Sequence, residues 1–95
     1  MFAYAIRVEL RGNPSREEYE RLHALMNRKG FKQTIDGVNG QGNQQKFDLP
    51  HAVYYGSSTA NCAAVRDSVR DVVKAEVQNN IVIFVVEAAN WALGW

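Results

Sequence analysis

The side chains in this sequence that could do chemistry are a pair of imidazoles, a carboxylate near the N-terminus and a handful of cations. His23 and His51 are its two histidines. Imidazole changes charge near neutrality, so acid-base work would fall to these rings first. His23 follows Leu22 and stands four residues after Tyr19, at the border of an apolar stripe, where packing or plain surface exposure is the competing explanation. His51 directly follows Pro50 at the start of a β segment, where a solvent-facing or backbone-bonded ring would fit equally well. Arg7 and Glu9 alternate along one face of the first β segment. The Glu could accept a proton or bind a metal and the Arg could hold a phosphate, or the two could pair with each other or with neighbouring strands. Arg28, Lys29 and Lys32 gather at a helix-to-strand corner, enough for a backbone phosphate contact or simply a solvated corner. Tyr54 and Tyr55 point to opposite faces of their strand, and the expected hairpin places Tyr54 on or near the open face of the sheet. There it could stack on a base or fill a dimer interface.

Other chemistry has no motif to carry it. The sequence has no Gly-rich phosphate loop, no Cys or His cluster at metal-ligand spacing and no nucleophilic triad motif, so neither a metal site nor a small-molecule cofactor is expected. Gly37-x-x-Gly40-x-Gly42 follows a weak strand and precedes no helix, which reads as a flexible hairpin loop.

Size and composition bound the rest. A chain of 95 residues makes one domain, 1–95, with a modest core, for which docking to a second copy would help stability. With 46% hydrophobic and 22% charged residues it belongs with folded globular domains. A net charge of +1 gives nucleic-acid binding no support from the global balance and leaves only a local patch. Cys62, the single cysteine, cannot form an intrachain disulfide, which fits a reducing cytoplasm. The opening MFAYAIRVEL lacks the basic start of a signal peptide, and no run approaches the roughly 18 apolar residues of a membrane span.

The elements that must position these residues follow from periodicity. Phe2, Tyr4, Ile6, Val8 and Leu10 alternate as a strand with one core face. Arg11 to Pro14 break it, and Ser15 with Glu18 has the spacing of a capping box, opening a helix on whose stripe lie Tyr19, Leu22, Leu25 and Met26. Gly30 closes it. A short edge strand from Phe31 to about Asp36 and another from Phe47 to Tyr55 flank a Gly-, Asn- and Gln-rich connection, Gly37 to Gln45, expected to be mobile. After Gly56, caps among Ser57, Ser58 and Thr59 start a second helix to about Val77, striped by Cys62, Val65, Val69 and Val72, with Val73 a candidate fifth member. Ile81 to Val86 is apolar on both faces and asks for cover on both, and Trp91, Leu93 and Trp95 add apolar surface. The order strand, helix, strand, strand, helix, strand predicts an α+β ferredoxin-like βαββαβ sandwich: a four-stranded antiparallel sheet with two helices on one face. The other face stays open, and a homodimer is expected to bury part of it or extend the sheet, the alternative being that the Trp tail folds back over it.

Laid out in this way, the chain resembles the GhoS family, antitoxins of type V toxin-antitoxin systems described as endoribonucleases that cleave the toxin's messenger RNA. The resemblance rests on YAIRVE at Tyr4 to Glu9, on RLHALM at Arg21 to Met26 followed by Gly30-Phe31, and on Ser57 to Arg70. It implies a ferredoxin-like fold and cleavage of single-stranded RNA in the cytoplasm. By the same resemblance His23 stands where the family has a basic residue linked to cleavage, and Glu9 stands for the first-strand carboxylate. Arg7, Arg28, Lys29, Lys32 and Tyr54 would then contact the RNA. His replaces Arg and Glu replaces Asp relative to the better-known member, so any shared mechanism would run through different groups.

Overall fold

Alternation in the first strand decides where the core lies. In β1 (Phe2–Leu10), Tyr4, Ile6, Val8 and Leu10 are buried, while Ala3, Ala5, Arg7 and Glu9 lie on the opposite face. The computed structural model describes residues 1–89 and residue 92. The apolar C-terminal residues Trp91, Leu93 and Trp95 fall outside the described residues.

Helix α1 (Arg16–Arg28) begins as its sequence dictates: Ser15 Oγ accepts from the Glu18 N–H and the Glu18 carboxylate accepts from the Ser15 N–H. A cap of this kind stabilises a helix by about 1 kcal/mol. Leu22, Leu25 and Met26 carry its buried stripe. Helix α2 (Cys62–Glu76) is capped instead by Asn61, whose side chain accepts from the Ala64 N–H. It starts later than expected because the preceding strand runs on through Ser57 and Ser58. Val65, Val69 and Val73 join the α1 residues and Tyr4, Ile6, Val8 and Leu10 in one core, while Phe2 at the start of β1 is exposed, so both helices cover the same face of the sheet.

The described residues form an α+β domain of two helices and five strands in two sheets. β2 (Thr34–Val38) pairs only with β3 (Gln44–Asp48), while β4 (Val53–Ser58), β1 and β5 (Ile81–Glu87) form a three-stranded antiparallel sheet in the order β4-β1-β5. The expected four-stranded sheet is therefore corrected. The segment after α1 touches the β4 edge through one bridge, Lys32 to Tyr55, and then leaves it to form the ribbon. The break has a local cause. Pro50 has no N–H to give a ladder, and Ala52 takes φ 61° in a turn closed by the Val53 N–H to the Pro50 carbonyl, so the segment expected as one strand bends into β3 and β4.

The Gly- and Gln-rich connection is shorter than expected, since β2 and β3 take up both of its ends. Gly37 faces Gln45 and Val38 faces Gln44, leaving a turn in which the Gly42 N–H reaches the Asn39 carbonyl and Asn39 Oδ1 accepts from the Gln41 and Asn43 N–H groups. Gly42 takes φ 82°, the left-handed position that such a hairpin requires and glycine adopts without penalty.

β5 divides its apolar residues between the two faces: Ile81, Ile83 and Val85 pack on the core, while Val82, Phe84 and Val86 are exposed on the other side. Among the described residues no helix is long and apolar enough to cross a membrane.

Gly56 marks a close approach between β4 and the segment after α1. A Cβ there would overlap the Gly30 carbonyl and lie 2.7 Å from the Phe31 ring. Gly56→Ala is expected to destabilise the domain by about 2 kcal/mol, the ordinary cost of overpacking against backbone. The urea midpoint checks it, and an unchanged midpoint would contradict the close packing of residues 30–31 on β4.

Candidate functional site

The turn that breaks the expected third strand also assembles the densest group of titratable rings. β4 leaves the turn with Tyr54 pointing inward, fully buried, and its hydroxyl lies 2.6 Å from His23 Nδ1 on α1. Tyr19, one helical turn before His23, packs its ring 4.5 Å from that of His51, centroid to centroid. The His51 ring stands edge-on to His23 at 5.9 Å. Two tyrosines and two histidines thus meet where α1 crosses the start of β4. His51 is exposed, His23 and Tyr19 are half-buried, and Tyr54 seals the floor. The left-handed Ala52, which costs a non-glycine residue about 1–2 kcal/mol, belongs to the turn that presents His51.

The hydrogen bond fixes more than position. A buried hydroxyl needs an acceptor for its proton, and among the described residues the Tyr54 hydroxyl reaches His23 Nδ1. Nδ1 is then the acceptor and the imidazole proton resides on Nε2. Burial pushes the Tyr54 hydroxyl well above the usual phenol range, with the Tyr19 hydroxyl adding to the shift, so Tyr54 remains a donor. Burial also lowers the His23 pKa, as does the neighbouring His51, with Glu20 opposing. A second proton on His23 would in addition take from the Tyr54 hydroxyl the acceptor to which it donates. At neutral pH His23 is a neutral ring presenting Nε2–H.

The residues singled out from the sequence are only partly brought together. His23 is in the cluster. Glu9 lies on the opposite face of the sheet, 3.3 Å from Arg11, so the two expected catalytic groups do not share a site. Tyr54, expected on the open face, is buried beneath the helices, and Tyr55 takes the outward position opposite Ala5. Arg7 is exposed in the middle of the open face. The basic corner spreads out: Arg28 meets Glu76 at 3.4 Å, Lys29 meets Ser68 at 2.9 Å and Lys32 meets Asn27 at 2.6 Å. Such exposed contacts are weak enough to be exchanged for a phosphate. His51 is the member of the cluster that sequence reasoning did not join to His23, because it comes far later in the chain, beyond an unforeseen turn. Among the described residues no group of His, Cys, Asp and Glu is arranged to hold a metal ion.

His51→Ala is expected to raise the titration midpoint of His23, followed by ring-proton NMR, while leaving it below the ordinary 6.5 because burial is the larger cause. Linkage sets the sign for stability. The folded-state value is depressed, so as pH falls the unfolded chain takes the proton first, and stability present above about pH 6.5 is lost below it. His23→Gln, whose carbonyl can still accept from Tyr54, is expected to flatten that loss between pH 7.5 and 5 in urea titrations. No family model matches the chain and no curated protein matches it, so the cluster stands on its own geometry.

Proposed function

We propose that the chain is a GhoS-like antitoxin, a small endoribonuclease that cuts the single-stranded messenger RNA of a toxin partner, built on a reduced ferredoxin-like fold. The fold reading is supported by the order β4-β1-β5, by the helices sharing one face and by the Lys32–Tyr55 bridge, which stands where a fourth strand would pair. The observation that carries the nuclease reading is the His23–His51 pair, rings 5.9 Å apart at an accessible surface.

Cleavage at a ribose needs a base for the 2′-hydroxyl and a donor for the phosphoryl oxygens. His51, exposed and without a side-chain hydrogen bond among the described residues, takes the 2′-hydroxyl proton. The 2′ oxygen attacks phosphorus and the bond to the 5′ oxygen breaks, that oxygen taking a proton from solvent. A 2′,3′-cyclic phosphate and a 5′-hydroxyl result. His23 Nε2–H, held in its tautomer by Tyr54, donates to a phosphoryl oxygen as charge builds there. Lys32, beyond the end of α1 but hydrogen-bonded to Asn27 one helical turn past His23, is the cation for a flanking phosphate.

A non-catalytic dimeric module is the alternative, favoured by the exposed Val82, Phe84 and Val86. Purified protein and unmodified single-stranded RNA separate the two. Cleavage leaving cyclic phosphate ends is expected, falling about 100-fold or more in His51→Ala and His23→Ala, and holding in Glu9→Gln on the other face. Absence of cleavage in the wild type, or cleavage indifferent to both histidines, would remove the nuclease reading.

A further inference from the structure

The open face of the sheet is more than an uncovered surface. Antiparallel neighbours share a face, so the register sets Tyr55, Ala5 and Val86 in one row and Val53, Arg7 and Phe84 in the next. Phe84 is 65% exposed, and the Arg7 guanidinium has no hydrogen bond or ion pair among the described residues. An unpaired cation between two aromatic side chains on adjoining rows has no structural work to do in the free domain. Beyond Tyr55 the face runs into an open cleft of about 580 Å³ between β4 and the ribbon, lined by Lys32, Thr34, Lys46 and Ser57, with Asp36 answering Lys46 at 3.3 Å.

We infer that this face and its edge cleft form a docking track for single-stranded RNA, in which Tyr55 and Phe84 stack on bases and Arg7 holds a phosphate. The inference rests on RNA being the partner, as proposed above, and assigns the binding to the side of the sheet away from the histidines. Stacking platforms of this kind combine aromatic side chains with cations along the backbone path. Charge decides between RNA and a second copy of the chain. Stacking a copy here would bury Arg7 among Phe84, Val53 and Tyr55, and Glu9, the carboxylate on the same face of β1, already shares its charge with Arg11. An RNA strand supplies an anion of its own.

The test uses a fluorescent single-stranded RNA of about 12 nucleotides, within the usual span of such platforms, with 2′-O-methyl riboses so that it binds without being cut. Fluorescence anisotropy is expected to show binding that weakens roughly tenfold in Phe84→Ala, the cost of one lost base stack. Arg7→Gln is expected to weaken it and to reduce the salt slope by about 0.7, one phosphate contact on a single strand. Both residues are exposed, and matching urea midpoints confirm that the variants fold. Binding by the wild type with no cleavage of unmodified RNA would support the track and remove the nuclease. Cleavage of unmodified RNA with affinity unchanged in both variants would overturn the track and leave the nuclease. A wild-type dimer that Phe84→Ala dissociates, with no RNA affinity, would give the face to a second copy and overturn the track.

Discussion

A tyrosine hydroxyl sealed under two helices must place its proton on an acceptor, and in this domain His23 Nδ1 receives it. That contact joins α1 to β4 across the core and holds the half-buried imidazole in one tautomer. It leaves the other ring nitrogen, Nε2, as the donor, with the exposed His51 ring 5.9 Å away. The energetic interest of the bond lies in its burial: an unsatisfied hydroxyl there would cost about 1–3 kcal/mol, more than an exposed ion pair contributes.

Around that contact the sheet divides the molecule by chemistry. The helix side is apolar apart from the rings near its edge, and Tyr4, Ile6, Val8 and Leu10 of β1 are buried completely or nearly so. The other side carries Arg7, Glu9, Tyr55 and Phe84, a mixture too apolar to be ordinary solvent surface and too charged to be a second core. Proposed catalysis and proposed RNA docking thus fall on different faces. A strand bound on the open face would have to round the β4 edge, past the cleft at Lys32 and Lys46, to reach His51.

Much of the fold was legible from the sequence, for reasons tied to particular residues. The alternation from Phe2 to Leu10, the Ser15–Glu18 box and the valine stripe of α2 are local signals that packing then reinforced. The centre of the chain was less legible. Asn39 and Gly42 build a turn from side-chain and left-handed geometry that composition alone reads as looseness, and Ala52 adopts a φ that nothing about alanine announces. That one residue fixes the phase of β4, and with it whether Tyr54 or Tyr55 faces inward. The candidate site depends on that phase, so His23 could be named from its type, whereas its partners Tyr54 and His51 could not be joined to it.

Proton–nitrogen correlation NMR of the imidazole rings at neutral pH reads the tautomer of His23 directly. A ring protonated at Nε2, with Nδ1 at the shift of an unprotonated acceptor and reverting to a tautomer mixture in Tyr54→Phe, is the expected result. A His23 protonated at Nδ1, or one whose tautomer is indifferent to Tyr54, would show that the buried hydroxyl does not organise the site.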